Sequence, residues 1–235
     1  MFNRKIVTRD LIKVFFTSDW HFQHKAVMKY NGRFEFMNAQ EQLEMSNAKA
    51  RSPKYYDRNE VKHIDISEES SARMTEGLLN RINKRVPKDG WLFVLGDQGM
   101  FKTVEQAAQI FNGIKCDRVF FIEGNHDDKI MIDAVEHCRE VHGRKQWMFI
   151  GDMAHLEVGE SPAWVSLHLS HYPMARWHKS HYGSINLYGH CHSHFESYRP
   201  ACTKQMDVGV DNCDDYSPIS LFDVMTRLKF RDGML

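Results

Sequence analysis

The feature that most constrains this chain is a repeated local pattern: a short apolar run that stops at a cluster of Asp, His, Asn and Gly. Lys13-Val-Phe-Phe-Thr17 is followed by Ser18-Asp-Trp-His21, and Trp91-Leu-Phe-Val-Leu95 by Gly96-Asp97. Arg118-Val-Phe-Phe-Ile122 runs into Glu123-Gly-Asn-His-Asp127. Trp164-Val-Ser-Leu-His-Leu169 runs into Ser170-His171, and Ile185-Asn-Leu-Tyr188 into Gly189-His-Cys-His192. Continuous apolar runs of this length read as strands buried on both faces. Polar residues at the C-terminal ends of such strands sit where open α/β sheets place ligands.

Between these runs the period changes to that of a helix. Residues 70–85 put Met74, Leu78 and Ile82 on one stripe, and Val86-Pro87 ends it. Residues 103–112 start at Thr103, an N-cap type, and carry Val104, Ala107, Ala108 and Phe111 at helical spacing. Residues 128–139 place Ile132, Val135 and Cys138 similarly. Residues 146–210 read mostly as strands. The order predicts a single α/β domain over 1–235, with a mixed sheet or two sheets packed together and helices outside. Residues 33–69 break the pattern. They are polar, with scattered Met37, Met45, Tyr55, Tyr56, Val61 and Ile64, and with Arg51, Lys54 and Arg58 around the tyrosines. They read as a solvated insertion or a helical lid.

Composition narrows the function classes. A chain of 235 residues with 42% hydrophobic content buries a sizeable core without disulfides. Lys+Arg and Asp+Glu are both 31, so no overall basic field draws duplex nucleic acid, and only a local cleft could play that part. The apolar runs are far shorter than the roughly 18 residues of a membrane helix. Arg4, Lys5, Arg9, Asp10 and Lys13 interrupt any signal-peptide core. Five cysteines, without CxxC spacing, read as thiols in a reducing compartment. A cytoplasmic protein with no membrane partner is expected.

The 14 histidines point further, above all His190-Cys-His-Ser-His194. Taken together, the strand ends offer Asp19, His21, Asp97, Asn125, His126, His171, His190 and His192. Carboxylate, imidazole and amide without required thiolate suit Mn, Fe, Zn, Co or Ni better than Ca. They are too many for one tetrahedral zinc and suit two ions sharing a carboxylate. Asp19 and His21 are two apart, as are His190 and His192, so on extended chain each pair points to one side. Gly96, Gly124 and Gly189 would free the backbone at the tight turns. The other histidines read more blandly. His168 is a strand residue with a structural role, and His194 has a minor claim to substrate contact. The His178–His181 loop, with Arg176, Trp177 and Lys179, is an ordinary loop or a phosphate or base contact. Asp207 and Asp211 would support the ligands from outside.

The order Asp-x-His, Gly-Asp, Gly-Asn-His-Asp, a His and then Gly-His-x-His resembles the calcineurin-like metallophosphoesterases, from about Phe15 to Val210. Thr17-Ser-Asp-Trp-His-Phe-Gln-His24, Leu169-Ser-His-Tyr-Pro173, Leu187-Tyr-Gly-His-Cys-His192 and Met206-Asp-Val-Gly-Val-Asp211 resemble a bacterial and phage branch of small phosphoesterases. The resemblance implies an αββα fold: two mixed β-sheets packed as a sandwich flanked by helices. It implies that Asp19, His21, Asp97 and His192 hold one divalent transition-metal ion. Asp97, Asn125, His171 and His190 would hold a second, with Asp97 bridging. It makes His126 the catalytic histidine and places Asn125, His24 and Arg33 near the substrate. One departure is Met100, where phosphoprotein phosphatases carry an acidic residue. Another is Glu123, a negative charge beside a phosphate site.

The implied activity is hydrolysis of a phosphomonoester or phosphodiester by direct attack of water held between the ions, with no phosphoenzyme. A nucleotide, a cyclic nucleotide or nucleic acid would fit as substrate. For a host-dwelling phage protein the compartment would be host cytoplasm. The competing classes are a non-catalytic metal-binding or interaction protein on the same fold, and a single-zinc protein built on His190–His194. The second leaves Asp19, Asp97 and Asn125 unexplained.

Overall fold

A computed structural model describes residues 2–8, 10–51, 58–192 and 204–231. Ten of its strands form two mixed sheets. The first sheet runs β1 (Phe2–Val7), β8 (Met153–Glu160), β9 (Ala163–Ser170), β10 (Ile185–Tyr188) and β11 (Gln205–Asp207). The second runs β12 (Ile219–Ser220), β2 (Val14–Thr17), β3 (Trp91–Val94), β4 (Val119–Phe121) and β7 (Trp147–Phe149). β2, β3, β4 and β7 are parallel, as are β9, β10 and β11. β5 (Glu140–Val141) and β6 (Arg144–Lys145) form a small separate hairpin.

The strand runs were continuously apolar because the second sheet is covered twice. Phe16, Phe93 and Phe120 are register partners on β2, β3 and β4. Their rings stack at 5.6 and 5.1 Å. They face a core shared with Leu156, Leu167, Leu169 and Leu187 of the first sheet. Each buried Phe is worth about 1.5–3 kcal/mol, and each ring pair about 0.5–1.5 more. The alternate residues Phe15, Leu92, Val94 and Phe121 face the helices. There Trp147 stacks at 4.2 Å on Phe111 of α5 (Val104–Asn112). α4 (Glu68–Arg85) presents Met74, Leu78 and Ile82 as its stripe predicts. α7 (Leu221–Arg231) contributes Leu221, Val224 and Leu228 to the inter-sheet core and touches both β11 and β12.

Helix boundaries follow the caps. Ser67 accepts a hydrogen bond from the Ser70 amide at the start of α4. Thr103 accepts one from the Gln106 amide at the start of α5, as its residue type predicts. The helix expected over 128–139 is shorter: α6 (Lys129–Ala134) passes into a 3-10 turn at Val135–His137. Its buried residues include Met131 and Ala134 rather than Ile132.

The described residues of the 33–69 segment are not a solvated insertion but part of the core. After α1 (Lys25–Tyr30) come α2 (Ala39–Arg51) and α3 (Arg58–Val61), and Phe36, Met37, Met45, Ala48, Val61, Ile64 and Ile66 are buried in the helix-side core. The buried Glu41 carboxylate ties α2 to α4, accepting from Asn38 N at 3.0 Å, Ser67 N at 2.7 Å and Ser70 Oγ at 2.6 Å. Tyr55, Tyr56 and Lys54 lie outside the described residues. No helix among the described residues is long and apolar enough to cross a membrane.

Candidate metal centre

The C-terminal ends of β2, β3 and β4 meet those of β9, β10 and β11. A parallel bridge between Ser18 and Gly209 joins the two sheets there. Asp19 and His21 follow β2, Asp97 follows β3, Asn125 and His126 follow β4, His171 follows β9, and His190 and His192 follow β10. These turns draw the ligand types into two adjacent groups: Asp19, His21 and His192, then Asp97, His171 and His190. Asp97 Oδ2 joins them, 3.4 Å from His21 Nε2 and 3.5 Å from His171 Nε2. Asn125 Oδ1 completes the second group, 2.9 Å from His171 Nε2 and 2.7 Å from His190 Nδ1.

The backbone achieves this differently from the spacing argument. Asp19 (φ 58°), His21 (φ 50°), Asp97 (φ 55°), His190 (φ 68°) and His192 (φ 44°) are left-handed, not extended. Each pair converges through tight left-handed turns rather than through strand alternation. Non-glycine residues in this region cost on the order of 1–3 kcal/mol and persist only where the surroundings over-determine them. Two glycines act by close approach: a Cβ on Gly124 would collide with the Asp97 carboxylate, and one on Gly189 with Ser18 Oγ.

Proton placement follows from the partners. His171 Nδ1 lies 2.7 Å from the Leu95 carbonyl, which can only accept, so Nδ1 carries the proton and the Nε2 lone pair faces Asp97. His192 Nδ1 lies 2.5 Å from Asp211 Oδ2, which leaves its Nε2 facing Asp19 Oδ1 at 3.9 Å. His21 Nε2 is buried without a hydrogen-bond partner among the described residues. The Nε2 lone pairs of His171 and His192 thus face the carboxyl groups of Asp97 and Asp19. A cation resolves that arrangement, and the donor set fits divalent transition ions.

Burial sets the charge states. It is the main cause lowering His21, His171 and His190, and it pushes His24 down to about 4. These rings are therefore neutral near pH 7, the form that ligates metal. Burial, with Asp207 and Asp97 nearby, pushes the fully buried Asp19 well up.

The remaining expected residues divide. His126 is exposed at the mouth, its amide held 2.8 Å from Asp97 Oδ1 and its ring 5.2 Å from that of His21. His24 packs beside both, its Nδ1 3.2 Å from His21 Nδ1. Arg33 does not face the substrate side. It is 0% exposed and lies behind the first turn, donating to the carbonyls of Asp19 and Trp20 at 2.7 Å each and to both oxygens of Asp211. Its fifth N–H points to Met74 Sδ at 3.6 Å, so no donor is left to reach a phosphate.

Asp211, expected from the sequence to support this set from outside, orients His192 and neutralises Arg33, whereas the bracing role of Asp127 was not expected from it. Burial alone would raise Asp211, but Arg33 and the His192 hydrogen bond hold it at about 2. Asp127 does not touch the His126 ring. Its carboxylate accepts from the amides of Gly124, Asp97 and Gln98 at 2.8–2.9 Å and locks two ligand turns together. Burial outweighs those hydrogen bonds and lifts it to about 7. Its position three residues after Gly124 was the available signal. Asp207 Oδ1 accepts from Gly209 N at 2.8 Å in the adjoining turn. Tyr172, half exposed, lies with its ring 5.0 Å from His171 and 4.6 Å from His190. The 176–182 loop is not at the site. Lys179 pairs with Glu157 at 2.9 Å and His178 packs on His155, on the outer face of the first sheet. His194 lies outside the described residues.

No known protein-family profile and no curated protein matches the chain. In structure it is similar to a protein of unknown function, AQ665 from Aquifex aeolicus. The TM-score is 0.53 at 16% sequence identity, covering 91% of this chain and 98% of that one. The likeness is one of fold.

Proposed function

We propose that the chain is a dinuclear metal-dependent phosphoesterase of the calcineurin-like type, an αββα enzyme hydrolysing a phosphomonoester or phosphodiester. The observation that carries this reading is the Asp97 carboxylate, set between two imidazole Nε2 atoms at 3.4 and 3.5 Å. Asp19, His21, Asp97 and His192 would hold one ion, and Asp97, Asn125, His171 and His190 the other. Such a pair supplies Lewis-acid activation of water and neutralises phosphoryl oxygens.

The chain's own residues supply the rest. His126 stands at the open side, and the Asp97 hydrogen bond to its amide fixes where its ring can reach. It would donate to a phosphoryl oxygen or to the leaving oxygen, a role worth about 10²–10⁴-fold. His24, held neutral by burial, packs against His126 and sets the tilt of its ring. Asp127 and Asp211 keep the turns in register, so the ligands need not reorganise on binding.

The test is metal stoichiometry together with hydrolysis of an aryl phosphodiester and an aryl phosphomonoester, on manganese-loaded and on chelated protein. Two equivalents per chain with metal-restored turnover are expected, and the diester-to-monoester ratio then ranks the substrates. Two equivalents without turnover on any phosphate ester would leave a metal-binding protein instead. One equivalent or none would overturn the two-ion assignment.

A further inference from the structure

A groove of about 950 Å³ opens directly from the centre, with His24 and His126 at its inner end. One wall is a stripe of α4: Ser71, Ala72, Thr75, Glu76 and Leu79. The other is α5 with the loop before it, through Gln106, Gln109, Ile110, Met100 and Phe101. Its volume lies at the upper end of the roughly 300–1,000 Å³ of small-molecule sites.

The chemistry of the lining is selective. The exposed apolar surface is Met100, 48% exposed, with half-buried Leu79 opposite, and Phe101, Ile110 and Met131 form the packed floor beneath at 7%, 8% and 1% exposed. Gln23, Gln106 and Gln109 add neutral amides. The charges are Lys25 and Lys102 against Glu68, Glu76 and Asp128. Lys25 is bound to Glu68 at 2.7 Å, and Asp128 accepts from the Ile130 amide at 2.8 Å, so Lys102 and Glu76 are the remaining charges of the lining. A nucleic-acid strand carries a phosphate at every nucleotide and needs a basic track, with exposed aromatics as stacking platforms. Among the described residues the groove carries three carboxylates against two ammonium groups, and apart from the His24 and His126 rings at its inner end its aromatic side chain, Phe101, is 7% exposed.

We infer that the α4–α5 groove is the subsite for one ester arm, and that this arm is a single uncharged, partly apolar alcohol of about nucleoside size. The substrate is a small phosphate ester, not a polynucleotide. This rests on the phosphoesterase reading above. The apolar wall takes one face of the arm, the glutamines take its polar edge, and the acidic rim repels a second phosphate.

The test uses two independent groove-filling variants, Ala72→Trp and Gln109→Trp, at exposed helix positions away from the metal ligands. The probes are thymidine 5′-(4-nitrophenyl phosphate), methyl 4-nitrophenyl phosphate, whose small arm does not reach the groove, and an oligothymidylate as competitor. The wild type should prefer the thymidine ester by about tenfold or more in kcat/KM, through KM. Each variant should lose that preference and keep the methyl ester's constants. Equal preference in both variants would overturn the subsite, as would the oligonucleotide competing better than thymidine 5′-monophosphate. Calorimetric binding of thymidine 5′-monophosphate and of inorganic phosphate separates this inference from the parent reading. If neither ester turns over, the phosphoesterase reading fails. The groove still stands if both variants weaken the nucleotide about tenfold and leave phosphate unchanged. Unchanged nucleotide binding would sink it.

Discussion

Among the described residues two histidine clusters reach onto the first sheet, and their surroundings make them different chemistry. At the strand ends, His171 and His192 each commit one nitrogen to a fixed acceptor and turn the other toward a carboxylate. On the outer face, His155 and His168 are cross-strand partners, 6% and 3% exposed. None of their ring nitrogens has a hydrogen-bond partner among the described residues. The nearest carboxylate, Glu157, sits 4.0 Å from His155 Nε2 and is taken by Lys179 at 2.9 Å. Burial is similar in the two places. What differs is orientation and available negative charge. Chelation needs lone pairs aimed at a shared point, and only the first cluster supplies that.

The strongest way to break this comparison is Asp97→Asn beside His168→Gln. Asp97→Asn should lower affinity for both ions by more than about 100-fold, beyond the 10–100-fold typical of outer-shell changes. His168→Gln should leave metal binding unchanged. Equilibrium dialysis against manganese reads both, and equal behaviour of the two variants would erase the distinction. Next in size, His126→Ala should cost about 10²–10⁴-fold in kcat while keeping wild-type metal content. A parallel loss of metal would make His126 a ligand instead.

Asp211→Asn sharpens the same contrast. It frees His192 to rotate and should cost about 10–100-fold in affinity at the first ion. It also strips the buried Arg33 of its counter-charge, so unfolding titrations should show a loss of about 3–5 kcal/mol. The smallest effect concerns the second cluster. His168 is held at about 4 by burial, with His155 and His178 adding to it. The unfolded ring takes a proton below about 6.5, whereas the folded one waits until about 4. Stability of the metal-free protein should therefore fall from pH 6.5 toward 4, and His168→Gln should flatten that slope. An unchanged acid limb would show that His168 is not a source of it.

Much was legible in local sequence. The apolar runs are strands because residues such as Phe15 and Phe16 are buried on opposite faces of one sheet, which needs continuous hydrophobicity. α4 and α5 follow from their stripes and from Ser67 and Thr103 as caps. The ligand types were visible because each stands directly after a strand. Other parts were not legible. β1 mixes half-buried and exposed positions at a sheet edge and carries no clear apolar run. The 33–69 segment looked solvated because its buried residues, among them Phe36, Met45 and Ile64, are spread thinly among polar ones.

By itself, then, the sequence determined where the central strands, α4 and α5 lie and which residues with metal-binding chemistry stand at strand ends. Periodicity, capping and turn composition are properties of near neighbours. The tertiary structure alone decided which nitrogen of each histidine is free, which turns adopt left-handed backbone, and what each charged residue does. Arg33 reads as a substrate contact until Asp211, 178 positions away, is seen to hold it behind the ligand turn. Asp127 stands next to His126 in the chain, yet its carboxylate lies on the amides of Asp97 and Gln98. The physical reason is the same in each case. A buried charge is defined by the partner that satisfies it, and that partner is chosen by the fold rather than by sequence distance.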